Sequence, residues 1–204
     1  MNNENRKIIF LFPLLIYLIS ALVGCTSSQE RRILVVHSYE ETYAAYPEFN
    51  RLIAKQFKKE GVNADIRTLY LDCESYKEET ELKRMRYLLD SVSGDWRPEV
   101  ILVNEDQATY SLLKCGDPLV KEVPVVFAGV NYPNWELLKQ YPNATGFHDK
   151  IGFVQNAEMA RKLFGDSVRL FTLLDSTFLD VQIRKDARKQ LAGHRVTGFM
   201  DYPD

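Results

Sequence analysis

"VPVVFAGVNYPN" (residues 123–134) begins as an unbroken apolar, β-branched run and turns within two residues into Gly129, Asn131, Tyr132 and Pro133. A run without polar alternation reads as a strand buried on both faces, the pattern of a parallel sheet covered by helices. Its polar and aromatic ending falls at the C-terminal end of that strand, where open parallel sheets form their ligand crevices. One stretch therefore predicts both a fold and the edge of a site.

Working outward, the same pattern recurs. "ILVVHSY" (33–39), "ADIRTLYL" (64–71) and "EVILVN" (99–104) read as strands, and "ATGFHD" (144–149) as a short fifth one. Between them Phe49, Leu52, Ile53 and Phe57 follow at helical spacing, with Gly61 as a stop, and Leu82, Met85, Leu88, Leu89 and Val92 line a second helix closing near Gly94. A short helix is predicted from about Gln107 to Lys114. Strands alternating with helices imply an α/β fold, a parallel doubly wound sheet with helices on both faces. Past Lys150 the alternation restarts: a helix around Asn156–Phe164, a strand over 169–175, a helix carrying Leu179, Ile183, Ala187 and Leu191, and a strand over 195–200. The expected organisation is a first α/β lobe over 32–150 and the start of a second over 151–204. The second, with about 54 residues and two strands, is incomplete as a lobe and too small to bury much surface alone.

The strand ends are polar. The first offers His37, Ser38 and Tyr39, the third Asn104, Glu105, Asp106 and Gln107, the fourth Asn131 and Tyr132, the fifth His148 and Asp149. Short polar groups mixed with aromatic faces suit a small polar or aromatic ligand. Asn and Asp also cap helices, which explains individual residues better than four strand ends together. Enzyme signatures are missing: no GxSxG, no Gly-rich phosphate loop, no HExxH, and three His residues in all. His37 beside Ser38 is no catalytic pair, because neighbours on a strand point to opposite faces. No catalytic residue, metal site or cofactor is expected. The formal charge of −2, without a Lys/Arg block, argues against a nucleic-acid partner, whereas 46% hydrophobic and 12% aromatic residues suffice for a globular core.

The N-terminus reads differently. Arg6 and Lys7 precede an apolar run of 17 residues from Ile8 to Gly24. As helix it would be about 25 Å long, short of the roughly 30 Å of a hydrocarbon core. A basic start, an apolar stretch and small residues make an export signal. Leu22-Val23-Gly24-Cys25 resembles the lipobox of bacterial lipoproteins, in which the Cys is lipidated and becomes the N-terminus. Residues 1–25 are expected to be signal and lipobox and 26–31 a polar tether. The chain would then be exported and held at the membrane through lipid on Cys25, with a signal anchor as the alternative. Cys73 and Cys115 match no zinc or CxxC spacing, and the strands preceding them are expected to lie two apart, so each is read as an independent buried thiol.

"RILVVHSYEE" resembles the first strand of a response-regulator receiver domain. Receivers end that strand in a magnesium-binding acidic pair and are cytoplasmic, and this chain has His37-Ser38 there behind an export signal, so that likeness fails. A second one covers nearly the whole mature chain. "RILVVHSYEETYAAYPEFNRLIAKQFKKEG", "PEVILVNEDQATYSLL", "VPVVFAGVN" and "ATGFHDK", in this order, resemble the ABC-transporter substrate-binding family with a type I periplasmic-binding fold. The same module occurs as the extracytoplasmic sensor of membrane histidine kinases, including hybrid two-component proteins. The resemblance implies two lobes closing about a hinge on a small molecule, with first-lobe contacts at Ser38, Tyr39, Asp106, Asn131 and Tyr132. It also implies an ABC permease or a signalling kinase as partner, and no enzymatic activity. The family needs a full second lobe, and this chain carries the beginning of one.

Overall fold

The computed structural model describes residues 29–166, 168–169, 171–174, 178–193 and 199–201. The expected signal segment and Cys25 lie outside the described residues, as does most of the strand predicted over 195–200.

Strand β1 (Arg31–His37) carries the apolar run Ile33–Val36, and from Ile33 to His37 every residue is buried. It pairs in parallel with β2 (Ala64–Tyr70) on one side and β3 (Val100–Asn104) on the other. Beyond β3 follow β4 (Val125–Val130) and the edge strand β5 (Ala144–His148), giving the order β2-β1-β3-β4-β5. All four pairings are parallel, in keeping with the near-continuous apolar runs of the inner strands β1, β3 and β4.

Helix α1 (Tyr46–Lys59) starts with Pro47 in its first turn and packs on β2. Its end is a Schellman motif: Gly61, at φ 73°, donates to the carbonyl of Lys58, and Val62 donates to that of Phe57. Helix α2 (Glu78–Ser93) buries Met85, Leu89 and Val92, the stripe read from the sequence. It packs on α3 (Glu105–Lys114), which lies against β1, β3 and β4. Two one-turn helices, α4 (Leu119–Glu122) and α5 (Trp135–Leu138), were not foreseen, because a single turn carries no periodicity.

Gly146 explains the edge of the sheet. A Cβ there would stand 2.0 Å from the Phe127 carbonyl oxygen, so only glycine lets β5 approach β4. The β4–β5 register shifts between Phe127 and Val130, around Gly129 at φ 68°. That irregularity lifts residues 131–132 out of the ladder.

The second unit holds α6 (Phe153–Phe164), β6 (Thr172–Leu174), α7 (Phe178–Gln190) and β7 (Phe199–Asp201). Helix α6 starts three residues earlier than the pattern suggested. Strands β6 and β7 pair in parallel as a separate two-stranded sheet. Ala157, Ala187 and Leu191 form a buried cluster in this unit, with Phe153 and Val154 packed against it, and Leu174 of β6 is buried as well. Cys73 and Cys115 are both free and buried, and β1 separates the strands that precede them, as anticipated.

Candidate functional site

The chain leaves β1 toward β2 on one side and reaches β3 on the other, so the strand order reverses between the C-terminal ends of β1 and β3. That switch point is where an open sheet offers a crevice. Here it is filled from below by a polar lattice. Asn104 Nδ2 lies 2.9 Å from His37 Nδ1, and His37 Nε2 lies 2.8 Å from Asn50 Oδ1. With the amide donating to Nδ1, the neutral tautomer protonated on Nε2 satisfies both bonds. Burial, partly opposed by the Asn50 bond, pushes the His37 pKa below its ordinary 6.5. Tyr46 stacks on the imidazole with centroids 3.8 Å apart.

Tyr46 continues the lattice upward. Its hydroxyl accepts from the Tyr39 backbone N–H at 3.0 Å and donates to Glu105 Oε2 at 2.8 Å. Burial raises the Glu105 carboxyl above its usual range, against the lowering effect of its hydrogen bonds from Tyr46 and Ser38. Glu105 opens α3 in a left-handed backbone conformation, φ 71°, which costs a non-glycine residue energy and is held by these contacts.

The five residues assigned to the ligand from the sequence separate into two kinds. Ser38 and Asp106 are fully enclosed. The Ser38 hydroxyl donates to the Asn104 carbonyl at 3.0 Å and accepts from Ala108 N–H at 2.9 Å, fastening β1 to the start of α3. Asp106 accepts from the backbone N–H of Asn131 at 2.9 Å and of Tyr132 at 3.0 Å, and from Asn131 Nδ2 at 3.3 Å. One carboxylate thus takes up the amides that the β4 irregularity leaves without ladder partners. The polar turn in "VPVVFAGVNYPN" is explained structurally by this catch. Tyr39, Asn131 and Tyr132 are half-buried, with Tyr39 stacked on Tyr43 at 4.8 Å. Tyr132 reaches the second unit: its hydroxyl donates to Asp186 Oδ2 of α7 at 3.5 Å, and burial with Asp186 nearby pushes its pKa up to about 12. Gln190 of α7 donates to Asp186 at 2.8 Å and to the Ile151 carbonyl at 3.1 Å, completing the tie. His148 lies against the Trp135 ring, away from this group.

A cavity of about 490 Å³ opens beside Tyr39, within the size range of small-molecule sites. Tyr39, Tyr76 and Tyr110 give it aromatic walls, Glu81, Gln107 and Ser111 polar ones, and Leu179 and Asp180 of α7 close it from the second unit. Of the five sequence-assigned residues, Tyr39 alone lines it. Tyr110 links the two regions, donating to the Tyr132 carbonyl and accepting from Asn134 N–H, and burial pushes its phenol up to about 12. Glu81 is buried, receives a hydrogen bond from Ser111 at 3.3 Å, and is raised above the usual carboxyl range by burial. Sequence reasoning passed over Glu81. It was legible as a carboxylate four residues before Met85, on the stripe that the helix buries. Among the described residues no group of His, Cys, Asp or Glu is placed to hold a metal ion, and no helix is long and apolar enough to cross a membrane.

Scans of protein-family models and of curated proteins gave no match. Solved structures did. The chain is similar to a conserved domain protein from Vibrio cholerae (TM-score 0.65, 15% identity, 84% of this chain and 57% of that one). It is similar to an ABC domain from Streptococcus pneumoniae in complex with L-Trp (0.64, 14%, 86% and 58%). A third is a solute-binding protein of an ABC transporter from Rhodopseudomonas palustris in complex with 3,4-dihydroxybenzoic acid (0.55, 10%, 85% and 47%). The class that the fold defines is the type I periplasmic-binding fold. The chain spans roughly half to three fifths of those proteins' length.

Proposed function

We propose that this chain is a ligand-binding module of an exported solute-binding protein that takes up a small molecule between its two units and serves an ABC transporter. The observation that carries the reading is the cavity of about 490 Å³ walled by Tyr39, Gln107 and Tyr110 from the first unit and Leu179 and Asp180 from the second. A site shared by two units can couple occupancy to their relative position, which a permease or a sensor reads. Neighbours of the same fold that bind L-Trp and 3,4-dihydroxybenzoic acid support a small-molecule ligand. Tyr39, with Asn131 and Tyr132 at the hinge side, is proposed to face the ligand, and Ser38 and Asp106 to hold those loops in place.

A thermal-shift screen of amino acids, amines, aromatic acids and sugars tests this. A ligand that raises the melting temperature, and whose effect is lost in Tyr39→Ala, is the expected result. A screen with no stabilising compound of any class would overturn the reading. Attachment is proposed through Cys25: fatty-acid labelling should mark the wild type and not Cys25→Ser. Permease and ATPase genes beside this one are the expected surroundings. A reading frame running on into a kinase would reassign the module to sensing.

A further inference from the structure

We infer that the cavity between α2, α3 and α7 takes a flat aromatic amine, binding its ammonium at Glu81 and a second N–H at Gln107. The inference rests on the proposed binding function and narrows it to a ligand class.

Charge comes first. Glu74, Glu78, Glu81 and Asp180 line the cavity against Lys77 and Lys114, an excess of carboxylates over ammonium groups. Lys114 is engaged by Glu78 at 2.7 Å, which takes one group of each sign out of the tally and leaves carboxylates in excess. Glu81 is the carboxyl that matters, because it is the buried one; its described hydrogen-bond partner is the neutral Ser111 hydroxyl, while the Lys114 ammonium, itself bonded to Glu78, acts on it only through space. A buried carboxylate facing a neutral donor gains most from an incoming cation, since the pair forms where water screens it least.

Hydrogen bonding supplies the second, independent observation. Gln107 Oε1 is buried and has no partner. A buried acceptor left without a partner is costly, and a ligand N–H would recover that cost. Gln107 and Ser111 stand four residues apart on α3, on one face, and Ser111 is bonded to Glu81. The backbone positions of Gln107 and Ser111 are therefore about one helical turn apart, on the order of 6 Å, with the Glu81 carboxylate bonded at the Ser111 end. A ligand with two N–H groups at that spacing satisfies both Gln107 and Glu81.

Shape is the third. Tyr39, Tyr76 and Tyr110 contribute ring surface to the cavity, and Arg84 already covers one side of Tyr76, with its guanidinium 5.0 Å from the ring centroid. Rings prefer to stack on or meet edge-to-face with such walls, and a cation gains from their faces as well. An indole bearing an alkylammonium has this shape, with its ring N–H and ammonium at opposite ends.

Three probes share one ring and differ in charge: tryptamine, L-tryptophan and indole-3-acetate. Calorimetry on the full chain should find tryptamine binding at least about tenfold more tightly than indole-3-acetate. Glu81→Gln, nearly isosteric, should weaken tryptamine about tenfold and leave indole-3-acetate no weaker. Glu74→Gln, at an exposed rim position that does not bear on folding, should weaken tryptamine about threefold. Indole-3-acetate binding as tightly as tryptamine would overturn the assigned charge, and L-tryptophan binding more tightly than tryptamine would show that a carboxylate is also sought and overturn the plain-amine class. If the thermal-shift screen finds a sugar or an acid while all three indoles stay silent, the ligand class falls and the binding function stands.

Discussion

The two α/β units use similar elements and differ in what they bury. In the first, β1, β3 and β4 are closed over by α2 and α3, and residues such as Leu34, Ile101 and Val125 are fully enclosed. In the second, the described buried hydrophobic residues are Ala157, Leu174, Ala187 and Leu191, two of them alanines, while Leu163, Phe164, Phe171 and Leu173 are each at least 65% exposed. Burial is worth about 25 cal/mol per Å² of apolar surface, so the first unit carries its own stability and the second borrows it through contacts such as Tyr132–Asp186 and Gln190–Ile151. The difference teaches that a repeated β–α pattern specifies topology before it specifies stability.

The contrast can be broken most sharply in the cores. Leu34→Ala should cost about 2–5 kcal/mol in chemical denaturation, and Leu173→Ser less than about 0.5. Equal losses would mean that the units share one core. Next comes the catch at the end of β4. Asp106→Asn replaces an acceptor-only group with one that brings its own N–H toward two backbone donors, at a cost on the order of 3 kcal/mol. Hydrogen exchange at the amides of Asn131 and Tyr132 should accelerate in that variant, and unchanged protection would show that the loop is held by other means. Gly146→Ala follows, at about 1–3 kcal/mol, because β5 must move away from the Phe127 carbonyl to admit a methyl group. A variant as stable as wild type would show β5 to be loosely attached.

The smallest expected effect concerns pH. His37 is neutral in the fold and its pKa lies below 6.5, so the unfolded chain binds the proton more readily. The stability that its neutral ring contributes is fully present above pH 6.5 and is lost as pH falls through the folded value. Glu81 and Glu105 act with the opposite sign, since their raised pKa values favour the fold at low pH and lose that contribution as pH rises through them. An NMR titration of the His37 ring with a midpoint above 6.5 would contradict the bonding assigned to Asn50 and Asn104.

Five strands, the stop at Gly61 and the stripe of Met85, Leu89 and Val92 were legible because each is a local pattern of apolar spacing or backbone freedom. The strand-end residues were legible as a group, for the same topological reason. Their individual roles were not. Asp106 looks like any acidic residue in the first turn of a helix, and its partners lie 25 and 26 residues on. The start of α3 at Glu105, earlier than the pattern suggested, depends on a left-handed residue held by Tyr46, a contact across 59 residues. The cavity is less legible still. Its walls come from the segments after β1 and β2 and from α2, α3 and α7, and no spacing within one segment announces them.

The strand order has a further consequence for how the chain comes together. β1 is an inner strand of the sheet, yet it is the first of the described strands to emerge during synthesis, and its second partner, β3, comes only after β2 and two helices. Ile33 must wait for Val100, and Val36 for Val103. Until then "ILVV" has one open edge and two uncovered apolar faces, the most adhesive state such a segment can have. Closure over so long a separation is slow compared with local helix formation. The interval between the appearance of β1 and the arrival of β3 is therefore when a holding chaperone would have most to grip, and when neighbouring nascent chains are most exposed to pairing with one another.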